Sequence, residues 1–458
     1  VSMTTTSSAA PGRPSVLTEK QRRFITKLTV LISGGMFIDG FILGSIGIVM
    51  PAITADLGLD LVWQGLIGAS ALIGIFIGGP LGGYLADKVG RKPMFTIDLA
   101  IFLVGSVAQF FVAEAWQLFL VRLLMGVAIG ADYSIGWPML AEFSPARMRG
   151  KLLAVQEVAW YVGYLISYAL GYILTVSATA DWNIILGLST IPCVIVFLMR
   201  LGTPESPRWL MTKGRTAEAL ALAEEYMEEA DRKDLQAQTT TRKLGVRALF
   251  SPAYIKSTVF VSVFWICNVT PYFAIGTFAP IILEQFGLED GLTGALALNG
   301  LVVAGSLVSV VLIERVGRRK LAIPPFWIST IALVVVGLFS QQSPVIIMVC
   351  FLVFSFVNAI STALTGVYPG EVFPTEICGS GTGFATAASR VGAAAGTFLL
   401  PVAMTTLGIG TTMIIAAGIS LVGGIVSQML APETKGKQLS ETNAPTGRRP
   451  EAVVHSAS

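Results

Sequence analysis

Histidine is all but missing from this chain. The single one, His455, stands in the C-terminal tail, so no histidine proton relay can run through the body of the protein. Cysteine is nearly as scarce: Cys193, Cys267, Cys350 and Cys378 lie singly in or beside apolar segments, without metal-ligand spacing, and read as buried free thiols. Charge is the third shortage. Only 13% of the 458 residues are charged and 53% are hydrophobic, whereas charged residues in a soluble domain run near about a quarter of the total. No ligand cluster and no phosphate-cradling loop after a strand is present, which excludes an enzyme and an ATP-driven pump and leaves no metal, cofactor or nucleic-acid partner to expect.

What the chain has is apolar length. Twelve segments of roughly 18 to 27 residues are each long enough to cross a hydrocarbon core of about 30 Å. The 48 glycines agree, because small residues let membrane helices approach closely. Lys and Arg crowd alternate loops (88–92, 147–151, 208–243, 315–320, 435–449) and the N-terminal tail, while the loops around Asp56, Glu114, Asp181 and Glu284 have none. By the positive-inside rule the number of spans is even and both termini are cytoplasmic, in a multi-pass protein of the cell (inner or plasma) membrane.

The first 24 residues are polar and rich in Ser and Thr, which predicts a disordered tail and no cleavable signal peptide. The expected organisation is a tail over 1–24, a six-helix bundle over 25–203, a cytoplasmic loop over 204–252, a second six-helix bundle over 253–431, and a tail over 432–458. Within the loop, RTAEALALAEEYMEEAD (215–231) alternates apolar and acidic residues with helical spacing and predicts a helix at the cytoplasmic face.

The halves repeat. Asp87-Lys-Val-Gly-Arg-Lys is echoed 227 residues on by Glu314-Arg-Val-Gly-Arg-Arg, Glu142-Phe-Ser-Pro 229 on by Glu371-Val-Phe-Pro, and Pro204-Glu205 228 on by Pro432-Glu433. Three matches at nearly one offset imply an all-α membrane protein of two equivalent six-helix bundles. Parallel repeats of this kind belong to transporters that alternate access around a midplane site.

These residues also carry a resemblance. Gly83-Tyr-Leu-Ala-Asp87-Lys-Val-Gly90-Arg91-Lys92 resembles the loop motif of the major facilitator superfamily, and Pro204-Glu-Ser-Pro-Arg-Trp-Leu210 with Pro432-Glu-Thr-Lys-Gly436 resembles its sugar porters. The resemblance implies a twelve-helix major facilitator fold and secondary active transport. The charges at the helix ends suit a latch that closes and opens as the bundles rock: Asp87, Arg91, Glu142, Arg149, Glu205, Arg208, Glu314, Arg318 and Glu371. The plainer reading of the basic members is that they anchor helix ends at the interface.

Deeper charges are sharper, since each costs at least about 2.5 to 3.5 kcal/mol at the bilayer centre on insertion scales. They are Asp39, Arg122, Asp132 and Arg390; Asp98 and Glu157 sit nearer the cytoplasmic end and read as structural. Asp39 and Arg122 read as partners facing a polar cavity, and in proton-coupled sugar porters such a pair carries the proton, which implies the same here. Gly130-Ala-Asp132-Tyr133-Ser resembles a run of phosphate:proton symporters, which adds Asp132 to the proton path and Tyr133 to the substrate path; a bond from Asp132 to a neighbouring helix is the alternative.

The sugar porters' substrate glutamines fall on Tyr164, Cys267 and Asn268 and their span-ten tryptophan on Gly366, so hexose-type hydrogen bonding is not retained. Ala387-Ala-Ser389-Arg390-Val-Gly392 is similar to organic ion transporters, where Arg390 would receive an anion, unless it pairs with Glu157 or Asp132. Trp137, Trp160, Tyr161, Tyr164, Trp265, Tyr272 and Phe278 can offer flat faces to a solute. The candidate substrate-binding set is therefore Tyr133, Tyr164, Trp265, Asn268 and Arg390. Span five lacks the Gly-Pro run of drug antiporters, which favours symport. The expected function is proton-coupled uptake of a small polar organic solute of the sugar or polyol class by a monomer in the lipid bilayer. An organic anion, aromatic acid or phosphate symporter is the alternative, and a non-transporting nutrient sensor is the rival.

Overall fold

The computed structural model describes residues 17–177, 180–200, 202–237, 244–277, 291–339 and 344–442. Helix α1 (Glu19–Leu57) starts earlier than the sequence predicts, because Thr18 and Gln21 form a capping box that satisfies the first free N–H groups. The tail is thus helical from Glu19, not disordered to 24. The first half continues with α2 (Leu61–Val89), α3 (Arg91–Ala108), α4 (Ala115–Phe143), α5 (Arg149–Val176) and the interrupted pair α6 (Trp182–Gly187) and α7 (Thr190–Arg200). The intervening segment holds α8 (Pro207–Thr212), α9 (Thr216–Tyr226) and α10 (Glu229–Ala237).

The second half comprises α11 (Ile255–Thr277), α12 (Gly291–Val316), α13 (Arg318–Phe339), the pair α14 (Pro344–Thr362) and α15 (Leu364–Val372), α16 (Thr375–Thr406) and α17 (Ile409–Leu430), followed by a short α18 (Leu439–Thr442). Among the described residues, ten helices or joined pairs are long and apolar enough to span a membrane. The remaining two long helices, α5 and α16, are 28 and 32 residues long. At about 1.5 Å per residue both exceed the hydrocarbon thickness. Twelve spanning runs result, six in each half. The outer faces keep large apolar side chains exposed, among them Phe111, Val104 and Met429, as lipid contact requires.

Across the seam between halves, α2 packs on α16 and α5 on α12. The two contacts exchange under the repeat, since α12 is the counterpart of α2 and α16 of α5. The single helix expected over 215–231 is two helices broken at Met227, whose side chain is fully buried. They dock beneath the start of α1, where Phe24 packs on Tyr226 and Gln21 donates to the Met227 carbonyl at 2.7 Å. The four thiols are free, three of them buried and Cys350 partly so. Phe278 and His455 fall outside the described residues.

Candidate functional site

Two matching ion networks lie at the end of the bundles where α2 meets α3 and α12 meets α13. Arg91, at the start of α3, is fully buried and binds Asp87 at 2.6 Å and Glu142 at 3.3 Å. Glu205 accepts from the N–H groups of Arg91 and Lys92 at 3.0 and 3.1 Å, and Ser206 donates to Glu142. In the second half Arg318 binds Glu314 at 2.8 Å and Glu371 at 2.9 Å, Glu433 accepts from the N–H groups of Arg318 and Arg319 at 3.0 and 3.1 Å, and Thr434 donates to Glu371. Each capping carboxylate sits where a helix N-terminus exposes unsatisfied donors. Burial pushes the Glu433 carboxyl up, but the N–H groups of Lys435, Arg318 and Arg319 outweigh it and hold it below the usual range.

Both networks cross the seam. Asp87 accepts from the N–H groups of Gly379 and Ser380 at 3.1 and 2.7 Å, Arg91 donates to the Thr375 carbonyl at 3.2 Å, and Glu314 accepts from the Lys151 N–H at 3.1 Å. An outer layer adds Arg149, which pairs with Asp231 at 3.4 Å and donates to the carbonyls of Ala141, Ser144 and Lys437, and Arg208, which pairs with Asp234 at 2.8 Å. Burial pushes the Asp231 carboxyl up to about 6 against the pull of Arg149 and Arg208. Each of the nine residues expected to form the latch has a polar partner at this end. Asp231, Asp234, Ser206 and Thr434 complete it, and nothing in their spacing distinguished them from solvated loop residues.

Above this closure, between the bundles, lies a cavity lined by Met36, Tyr133, Trp137, Glu157, Trp160, Tyr161, Trp265, Val269, Tyr272, Phe273, Thr362 and Arg390. Its rings interlock: Tyr133 stacks on Trp137 at 5.1 Å, Trp137 meets Trp265 edge-on at 5.4 Å, and the Trp160 N–H donates to the Tyr133 hydroxyl at 2.9 Å. The free volume is about 20 Å³, room for about one water. A solute enters only when the bundles part.

Three of the five expected substrate residues, Tyr133, Trp265 and Arg390, line this cavity. Two do not. Tyr164 stands behind Trp160, its ring stacked at 5.6 Å. Asn268 is buried in the α11–α14 contact, where it donates to the Phe264 carbonyl at 2.9 Å and accepts from Ser361 at 2.6 Å and Thr362 at 3.4 Å. Its amide oxygen and an N–H group are taken up inside the bundle, by Ser361 and Thr362 of α14 and by the preceding turn of α11. Conversely, Glu157 lines the cavity, although its nearness to the cytoplasmic end read as structural.

The deep charges of the first half are arranged differently from expectation. Arg122 is fully buried and reaches only the Ile42 carbonyl, at 3.4 and 3.5 Å. No ion pair joins it to Asp39 among the described residues; both Asp39 carboxylate oxygens are buried without a hydrogen-bond partner. Asp132 is held away from the cavity by Arg200, which binds it at 3.3 Å and Asp98 at 3.4 Å while lying 3.5 Å over the Phe95 ring. Arg200 escaped the sequence reading because a basic residue at a cytoplasmic helix end is what the orientation rule already supplies. Its neighbours Asp98 and Asp132, one on each adjacent helix, were the signal that a buried partner was needed.

With this geometry in hand, known proteins give it a place. The fold superposes on the proton:xylose symporter XylE bound to 6-bromo-6-deoxy-D-glucose with a TM-score of 0.84, at 21% identity, covering 92% of this chain and 99% of that one. The inner membrane metabolite transport protein YgcS of Escherichia coli (strain K12) is 38% identical over 417 residues, which cover 91% of this chain and 93% of the relative. The major myo-inositol transporter IolT of Bacillus subtilis (strain 168) is 24% identical over 444 residues, 92% of this chain and 94% of the relative. A twelve-helix integral membrane protein matched over residues 21–445 by the family described as "Sugar (and other) transporter" is a transporter and no enzyme, and the chain belongs to that family.

Proposed function

We propose that the protein is a proton-coupled symporter that takes up a small polyhydroxylated solute of the sugar or polyol class, working as a monomer in the cell membrane with both termini cytoplasmic. The observation that carries this reading is the pairing of a ring-lined cavity between the bundles with the buried, unpartnered carboxylate oxygens of Asp39, about one helical turn along α1 from the cavity-lining Met36. Aromatic faces suit the C–H faces of a sugar or polyol. The proton:xylose symporter of like fold and the inositol transporter related in sequence support the substrate class and, for the first, the coupling.

In this reading Asp39 carries the proton. A buried carboxylate with no hydrogen-bond donor favours its neutral form, and approach of a guanidinium favours the charged one. Arg122, held on the Ile42 carbonyl one turn from Asp39 in the same bundle, is the group that engages Asp39 once it leaves that carbonyl; Asp132 acts at one remove, by fixing Arg200. The latch residues Asp87, Arg91, Glu142, Arg149, Glu205, Arg208, Glu314, Arg318 and Glu371 hold the cytoplasmic side shut until substrate and proton are loaded. The test is Asp39→Asn in proteoliposomes: it is expected to abolish accumulation against a gradient while retaining substrate counterflow. Undiminished accumulation would sink the assignment.

A further inference from the structure

Arg390 brings a full positive charge into the cavity, 4% exposed, and its Nε and Nη1 are buried without an acceptor. No carboxylate comes within 4.0 Å of it among the described residues. Its guanidinium lies 5.7 Å from the Tyr133 ring and 5.4 Å from the Phe273 ring. Ring faces offset part of the cost of burying a cation but accept nothing from in-plane N–H groups. Glu157 faces the same cavity, 8% exposed. The site therefore holds a guanidinium fork with open donors, a carboxylate nearby that does not close on it, and rings on the remaining walls.

We propose that the transported solute carries a carboxylate, a polyhydroxylated acid such as a uronic or aldonic acid, and that Arg390 receives this carboxylate in bidentate geometry while Glu157 stands as the competing negative charge. An Arg–carboxylate fork supplies two parallel charge-assisted bonds to the donors now unmet. Removing water from such a pair is repaid only when the remaining donors and acceptors are matched, and Nε and Nη1 of Arg390 have no acceptor within reach in the closed cavity. A neutral sugar would leave the Arg390 donors half satisfied. This assignment rests on the transport reading and narrows its substrate.

Trp137, Trp160 and Trp265 line the cavity, so binding to the purified protein is readable as a change in intrinsic fluorescence. The probes are galacturonate against galactose and gluconate against sorbitol, each pair differing in charge, with inorganic phosphate as a third arm. We expect at least one acid to bind more tightly than its neutral counterpart by about thirtyfold or more, and Arg390→Ala to erase that difference. Glu157→Gln is expected to tighten binding of the acid about three- to tenfold relative to its neutral partner, since it removes a like charge; it keeps the proposal testable if Arg390→Ala does not fold. Equal binding of acid and neutral probe, a response to phosphate alone, or no response to either acid overturns the assignment. Galactose or sorbitol binding and exchanging in counterflow while Arg390→Ala has no effect overturns it but leaves the transport reading standing. A bound probe that shows no counterflow defeats the transport reading instead.

Discussion

Two glycines on α2 separate what the closed state needs from what the fold needs. A Cβ on Gly83 would sit 2.2 Å from the Gly379 carbonyl oxygen on α16, across the seam, whereas a Cβ on Gly78 would sit 2.0 Å from the Val127 carbonyl oxygen on α4 of the same bundle. Either clash forces backbones apart, and overpacking of this kind costs about 1 to 3 kcal/mol. For Gly83→Ala the cost exists only while the cytoplasmic side is shut, which shifts the closed-to-open equilibrium about 5- to 150-fold toward open. For Gly78→Ala it exists in every state and falls on stability. The gain in helix propensity of about 1 kcal/mol is common to both variants and both states, so it does not blur the contrast. Spin labels at the exposed Lys92 on α3 and Lys320 on α13 report the distance between bundles at the cytoplasmic face. Gly83→Ala is predicted to lengthen that distance at unchanged or higher Tm, and Gly78→Ala to lower Tm at unchanged distance. If Gly83→Ala leaves the distance distribution untouched, the α2–α16 contact does not gate the cytoplasmic side.

Other perturbations bear on the charges. The folded-state pKa of Asp231, about 6, stands above its ordinary 3.8. Stability from this group is therefore full below about pH 4 and lost as pH rises through about 6. The protection factor of the α10 amides, which divides out the intrinsic pH dependence of exchange, is predicted to rise as pH falls across that window, and Asp231→Asn to remove the rise; a protection factor that falls at low pH contradicts the assignment. Arg200→Gln leaves Asp98 and Asp132 buried without their counter-charge and is predicted to cost about 3 to 5 kcal/mol. Asp132→Asn in that background should recover part of the loss of Tm, and strict additivity of the two changes would show that the charges do not act as a unit.

The latch was legible in the sequence because it is duplicated. Once Asp87, Glu142 and Pro204 recurred at Glu314, Glu371 and Pro432, helix ends and their charges followed from the repeat, and the structure gives Arg91 and Arg318 matching partners down to the hydroxyl of Ser206 and of Thr434. The interior charges were legible as residues but not as pairs. Nothing in spacing along one helix tells which neighbour it meets, so Asp132 was assigned to the cavity when Arg200 on α7 holds it, and Arg122 was given to Asp39 when it reaches the Ile42 carbonyl. Asn268 stands where a sugar porter's substrate glutamine falls, yet a short amide on a packed face finds Ser361 and Phe264 first. The ring wall was half legible: the aromatics of α4, α5 and α11 were singled out, and the turn that hides Tyr164 behind Trp160 depends on how closely α1 and α5 approach.

The central claim, that solute movement is driven by protons through this cavity, is tested most directly in proteoliposomes with a bound solute identified by tryptophan fluorescence. An acidic exterior imposed without other gradients is predicted to drive accumulation inside above the external concentration, with a protonophore collapsing it to equilibrium. Equilibration to the external concentration and no further, with or without the proton gradient, contradicts the account.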